Sequence, residues 1–240
     1  MRNEVFSPIS AALLWTLEVA RPIEGRVEVI RPGISRRHAN LIVRRRTLPP
    51  EHVARIGDVA VTTLARTLVD VARDYGLDVS VPMLDNALRR NKVSKAQLFD
   101  VVQAAHEVRN ENRVTEAISL TDPLRESPAE SIVAVRFFEN GILDFESQVE
   151  VRDAQGRFIA RVDFLHRGAM IIVEFDGRGK YFLDDRDHRV AFDRERERER
   201  QLRALGYHVV RIFWKDLFRQ QKFTELARLV RARMAQPSAT

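Results

Sequence analysis

The chain has 240 residues, 45% of them hydrophobic and 31% charged, a globular composition long enough for one large or two small domains. No apolar run approaches the roughly 18–20 residues that cross a bilayer, and the opening MRNEVFSPIS lacks the basic-then-apolar layout of a secretory signal. Cysteine is absent, which excludes disulfides and thiolate zinc sites and points to a reducing, cytoplasmic setting away from any membrane.

The net charge of +6 is unevenly placed. Between Arg26 and Arg46 stand seven arginines against one acid, Glu28, an excess equal to that of the whole chain. A local basic excess of this kind suits a polyanionic partner such as DNA without requiring one.

In chain order, the spacing predicts a helix over Ile9–Ala20, with Ser10 near its start and Pro22 past its end. Two β-rich runs follow, Arg26–Pro32 and Ala39–Arg46, with a turn at Pro32-Gly33. HVARIGDVAVTT reads as a hairpin around Gly57-Asp58. Thr62 or Thr63 then caps a helix through Tyr75, carried by Leu64, Leu68, Val71 and Ala72. Two more helices are expected, near Val81–Arg90 and Ser94–His106, and the polar stretch 107–126 leads into TDPLRESP, which reads as the connection between domains.

Beyond it, Ser127 and Pro128 open a helix that Asn140-Gly141 stops. FESQVEVR and RFIARVDFL flank the turn Asp153-Ala154-Gln155-Gly156 as a hairpin, and AMIIVEFD reads as a buried strand. A charged helix spans about Asp187–Leu205 with Gly206 at its C-cap. The strand YHVVRIF and a helix over about Asp216–Met234 complete the chain. The domains expected are therefore 1–120, mixed α/β and the smaller, and 127–235, with an α-β-β-β-α-β core.

Acids stand out at the strand ends of the second domain. Asp163 lies near the end of one strand and Glu174 near the end of the next, and alternation puts Glu174 and Asp176 on one face. Gly177 lets the chain bend away and leaves the carboxylates at a rim. Mg2+ takes one or two carboxylates plus water and phosphate oxygens, which this rim would supply. Acids at strand ends are also commonly just solvated. In IIVEFDG, however, two carboxylates adjoin a wholly apolar run, and a buried charge needs a partner. A metal is one such partner, and a salt bridge to Arg161 or Arg178 is the other.

The pattern RVDF…IIVEFDGRGKY…DRERERERQLRALGYHVVRIFW resembles the DUF559 family of endonuclease-like domains, over about Glu130 to Leu217. That family is similar to the very short patch repair (Vsr) mismatch endonucleases and belongs to the PD-(D/E)XK nuclease superfamily. The resemblance implies a restriction-endonuclease-like fold, a Mg2+ (or Mn2+) cofactor and phosphodiester hydrolysis on DNA. It implies Asp163 and Glu174 as metal ligands and Glu130 as an accessory carboxylate. The superfamily's lysine would fall at position 176, where this chain has Asp176. The resemblance then leaves Lys180, after the Gly177-Arg178-Gly179 bend, to orient water or offset charge.

In the run Asp193–Arg200, charge alternates with period two. On a helix this sets opposite charges at i,i+3 and like charges at i,i+4, nearly cancelling. Most of these residues read as a solvated face, with Arg194 or Arg198 able to point to the rim and hold a phosphate. His166 and His188 are general-base candidates that read more readily as surface or loop residues, and Trp214 reads as packing.

The segment LPPEHVARIGDVAVTTLARTLVDVARDYG resembles the middle of actinobacterial proteins related to AbiEi-type antitoxins. Such relatives begin with a winged helix-turn-helix, whereas only one predicted helix precedes the first strand here. Arg36, Arg37, Arg44, Arg45 and Arg46 are candidates to neutralise DNA phosphates, or to blunt an exposed strand edge. The expectation is a metal-dependent DNA endonuclease or nickase. The alternatives are a non-catalytic DNA-binding regulator of antitoxin type and a protein-interaction module on a nuclease fold.

Overall fold

The computed structural model describes residues 4–20, 25–33, 35–105, 109–177 and 185–235, with backbone alone over 185–193. The chain divides into two compact units, Met1–Ile132 and Val133–Thr240, and each combines helices with a β-sheet, the α/β class expected. Among the described residues no helix is long and apolar enough to cross a membrane.

In the first unit, short strands form a six-stranded sheet ordered β3-β4-β2-β1-β6-β5. They are β1 (Val5–Phe6), β2 (Val27–Ile30), β3 (Arg36–Arg37), β4 (Leu41–Arg44), β5 (Val53–Ile56) and β6 (Val59–Thr62). The bend at Pro32-Gly33 leads into β3, which runs antiparallel to β4, while β2 and β4 are parallel. The hairpin expected at Gly57-Asp58 joins β5 to β6. Helix α1 covers only Ile9–Leu14, shorter than the expected Ile9–Ala20. The Trp15 indole donates to the Thr62 carbonyl at 2.9 Å, and Thr16 turns left-handed at φ 56°, which breaks the helix.

Helix α2 (Leu64–Asp74) is the centre of the unit. Its cap Thr63 accepts from the Arg66 amide, and Leu68, Val69, Val71 and Ala72 are fully buried. It packs against α1, α3 (Leu77–Arg89), α4 (Lys95–Ala105) and α5 (Glu111–Leu120). Helix α5 lies in the polar stretch 107–126, where no helix was expected. Val114, Ala117 and Ile118, at helical spacing, are wholly buried, so three apolar residues fold a stretch that is otherwise polar. The first unit holds 132 residues and is not the smaller one, and the boundary falls within the next helix.

A charged network lies inside this unit. Asp70 is fully buried and accepts from Ser7 Oγ at 3.1 Å, Arg66 Nε at 3.0 Å and Arg73 Nη1 at 3.4 Å, with Arg46 Nη1 at 3.2 Å. Three guanidiniums therefore converge on one carboxylate, and the neighbouring Asp74 takes Arg44 and Arg46. Taking charges out of water is costly unless they are paired this closely.

In the second unit the order is α6 (Pro128–Glu139, whose first turns belong to the first unit), β7 (Glu146–Arg152), β8 (Phe158–His166), β9 (Ile171–Asp176), α7 (Asp185–Ala204), β10 (His208–Phe213) and α8 (Gln220–Met234). This is the expected α-β-β-β-α-β succession with a final helix, which starts later than predicted because Trp214–Asp216 forms a 3-10 turn. The sheet runs β10-β9-β8-β7. Neighbours are antiparallel except β9 and β10, whose parallel pairing requires the crossover that α7 supplies.

Phe164 packs with Phe137 of α6, which also meets Phe223 of α8, on one face of the sheet. Its neighbour Leu165 joins Val162, Ile172 and Leu202 of α7 on the other. Both predicted glycine stops are seen. Gly141 (φ 62°) and Gly206 (φ 89°) end α6 and α7 in the left-handed conformation, with Ile142 and Tyr207 amides reaching back to Phe137 and Leu202 carbonyls.

Replacing Asp70 by Asn, which keeps the shape and removes the charge, should lower the unfolding free energy by about 3–5 kcal/mol, because the buried carboxylate shared by three guanidiniums is lost. Urea denaturation measures this. A loss below about 1 kcal/mol would mean that solvent or other acids compensate the arginines.

Candidate active site

Strand β9 is apolar until its last turn toward solvent. Ile171, Ile172 and Val173 are fully buried, and Glu174 follows at 8% exposure, so a carboxylate sits almost inside the core. Its charge is met by Arg198 of α7, whose Nη1 and Nη2 stand 2.9 Å from Oε1 and Oε2, a forked pairing. Arg211, paired in register with Glu174 across β9 and β10, adds a second guanidinium 3.9 Å from Oε2. Burial raises the Glu174 pKa, and Arg198 and Arg211 offset this only in part.

Asp163 reaches the same place by another route. The β8–β9 ladder holds for three pairs, ending at Phe164–Val173. Beyond it Asp163 Oδ2 accepts from the Phe175 amide at 2.7 Å, so a side-chain oxygen takes the part of the missing backbone carbonyl. On the other flank, Gln148 of β7 donates to Asp163 Oδ1 at 3.4 Å. Gln148 has φ 54°, a conformation that costs a non-glycine residue about 1–2 kcal/mol. The strand irregularity thus falls beside the candidate ligand, where strain concentrates in functional sites.

Asp163, Glu174 and Asp176 line one cleft of about 180 Å³ together with Arg161, Arg198, Arg211 and Glu195. Glu195 accepts from Arg198 at 2.9 Å and from Arg211. Burial works to raise its pKa, but these hydrogen bonds prevail and bring it down to about 2. Arg211 also reaches Asp176 at 3.8 Å and Glu199 at 3.0 Å. The lining holds four carboxylates and three guanidiniums, so the arginines leave one negative charge over.

Among the described residues no group of three or more acidic or histidine side chains is placed to hold a metal by itself. Mg2+ does not need one, since one or two carboxylates with water and phosphate oxygens complete its shell. The all-oxygen donor set of Asp163 and Glu174, the surplus negative charge and a cleft with room for several waters fit a hard divalent cation. Such an ion and the Arg198 guanidinium would compete for the same two oxygens of Glu174.

The other predicted residues lie as follows. Lys180, Arg178 and the side chain of His188 fall outside the described residues. Glu130 secures the start of α6, where Oε1 accepts from Ser127 Oγ at 2.6 Å, Oε2 from the Glu126 amide at 2.9 Å, and Ser127 Oγ from the Glu130 amide. Arg194 is exposed, one turn from Arg198. In the first unit Arg36, Arg37 and Arg45 are exposed, while Arg44 and Arg46 are engaged by Glu28, Asp70 and Asp74. His166 is buried, not a surface residue. Its Nδ1 accepts from the Ala169 amide at 3.1 Å and fixes the turn between β8 and β9. Trp214 is partly exposed and meets Phe175 edge-on at 5.5 Å.

Sequence reasoning missed Arg211, Glu195 and Glu199. A signal for the first existed, since Arg211 interrupts YHVVRIF much as Glu174 interrupts IIVEF. The other two were hidden by the period-two charge run, in which every residue looks alike. Leu202 resolves them, because stepping back by three or four residues gives Glu199, Arg198 and Glu195 on the face that Leu202 buries. No protein-family profile and no curated protein matches this chain.

The depressed pKa of Glu195 sets a pH window. Stability that its ionised form contributes is fully present above the ordinary value of 4.5 and is lost as pH falls through about 2. Glu174 runs the other way: its raised pKa favours the fold at low pH, and that gain fades as pH rises through the folded value. Glu195→Gln should therefore flatten the fall of unfolding free energy between pH 4.5 and about 2. Superimposable acid limbs for the two proteins, followed by denaturant melts, would show that Glu195 contributes no such linkage.

Proposed function

We propose that the second unit is a Mg2+- or Mn2+-dependent DNA endonuclease or nickase. The observation that carries this reading is the meeting of Asp163 and Glu174 in one cleft, with Asp163 bonded to the amide that directly follows Glu174. The resemblance to the DUF559 and Vsr-like nucleases supplies the reaction class, and the acids fit it. Asp163 and Glu174 would hold the cation, with Asp176 beside them. When bound, the cation supplies neutralisation of phosphate charge and a water of lowered pKa.

The chain's own residues have separate tasks. The Phe175 amide and Gln148 fix the direction of the Asp163 carboxylate. Arg198 pairs with Glu174 at its buried position, and Arg211 pairs with Glu195 and Glu199 beside it. Arg161, exposed on β8 at the cleft, is placed to take a phosphate oxygen. Lys180 is the candidate to orient the attacking water. In the reaction a water oxygen bonds to phosphorus, one bridging P–O ester bond breaks, and the water's proton passes to solvent or to the leaving oxygen.

A second reading has an observation of its own. Arg198 already satisfies both oxygens of Glu174, and the lysine position holds Asp176, so the cluster is also consistent with a non-catalytic DNA-binding regulator.

Nicking of supercoiled and mismatch-containing DNA with Mg2+ or Mn2+ tests the proposal. Asp163→Asn and Glu174→Gln should each reduce cleavage by about 100-fold or more, the scale of losing a catalytic electrostatic contact, and chelator should abolish it. Folded wild type that binds DNA but never cuts it supports the regulator instead. Cutting that survives both substitutions places the chemistry elsewhere. Independently of activity, Arg198→Gln should tighten Mn2+ binding, read by electron paramagnetic resonance, by about tenfold or more, the equivalent of roughly 1.4 kcal/mol of relieved charge competition. Unchanged or weaker binding would show that Arg198 does not contend with the ion.

A further inference from the structure

The first unit has an open cleft of about 1060 Å³ between the β3–β4 edge and the C-terminal ends of α2 and α4. Its lining includes seven arginines and one acid, Asp74. These arginines form two sets. Arg44, Arg46 and Arg73 are anchored: Arg44 to Glu28 and Asp74, Arg46 to Asp70 and Asp74, Arg73 to Asp70. Arg36, Arg37, Arg45 and Arg109 are exposed, and no acidic partner for them occurs among the described residues.

The anchored set has a clear structural role, and the exposed set has none of that kind. Four unshared guanidiniums around one concave surface repel one another, an arrangement that favours an anionic ligand. Helix C-termini would ordinarily make the cleft less positive. At α2 that effect is blunted, because Asn110 donates to the Arg73 carbonyl and Arg113 to the carbonyls of Ala72 and Arg73. At the α2 end, helix geometry therefore does not cancel the arginines.

We infer that this cleft binds the phosphodiester backbone of duplex DNA, with Arg36, Arg37, Arg45 and Arg109 as the phosphate ligands and Arg44, Arg46 and Arg73 as their rigid floor. Planar guanidiniums suit phosphate oxygens, and seven of them line this one cleft. Contacts of this type position the nucleic acid without reading its sequence. The inference shares its partner with the nuclease reading but not its site, since every residue involved lies within Met1–Ile132.

Fluorescence anisotropy with a labelled 20-base-pair duplex tests it, using the full chain in chelator so that no cleavage intervenes. The variant Arg36→Ala/Arg37→Ala/Arg45→Ala/Arg109→Ala removes the exposed set, and Arg55→Ala/Arg90→Ala serves as a control for general loss of charge. The four-fold variant should weaken binding by about 100-fold or more, and the slope of log K against log salt should shrink by about 3–4, at roughly 0.9 per phosphate contact. Thermal unfolding unchanged from wild type checks that the anchored network is intact. The inference is overturned by an unchanged slope, by an equal loss in the control, or by anionic vesicles that bind through the same four arginines as tightly as the duplex. Anisotropy in chelator reads the first-unit cleft and the nicking assay reads the second unit, so a failed nuclease and a failed cleft give different results.

Discussion

Glu174 is a negative charge that the sheet carries almost into its core, and the second unit is arranged around that constraint. An ionised carboxylate loses several kcal/mol of solvation on such burial, so the fold has to deliver positive charge to it. It does so from two directions. The parallel register of β9 and β10 sets Arg211 alongside, and the Leu202 face of α7 carries Arg198 over the top. Glu195 and Glu199 then hold both arginines in place, so over Glu195–Leu202 the helix that covers the sheet is fixed by ion pairs and apolar packing together.

The first unit confronts the same problem and reaches a different balance. Asp70 is surrounded by three arginines and a serine hydroxyl, so positive charge exceeds negative around it. Around Glu174 the surplus is negative. The two clusters therefore suit opposite ligands, an anion beside the first and a cation beside the second, although both are made of arginine and acid in similar numbers.

Much of this was legible in the sequence. The succession of elements in the second unit followed from apolar periodicity, the Ser127-Pro128 start and the glycine stops at Gly141 and Gly206, which are local signals with local causes. Glu174 could be singled out because an acid beside a run of Ile and Val is physically anomalous. Helix α5 was not legible, because three buried residues in a polar segment give a signal that only tertiary packing amplifies. Nor was the division among Arg36 to Arg46. Adjacent arginines look identical in sequence, yet Arg44 and Arg46 turn to Glu28, Asp70 and Asp74 while Arg45 faces solvent. Ion-pair partners 24 or more residues apart, such as Arg46 with Asp70, leave no periodic trace.

The bond from the Phe175 amide to Asp163 makes a backbone group into a witness of side-chain chemistry. Whatever withdraws electron density from that carboxylate, whether a proton or a cation, weakens it as an acceptor and lengthens this one link. The Phe175 amide resonance would then move while the amides of Ile172 and Val173, held in the regular ladder, stay where they are. The occupancy of the cleft is in this way written into the magnetic environment of a single hydrogen atom.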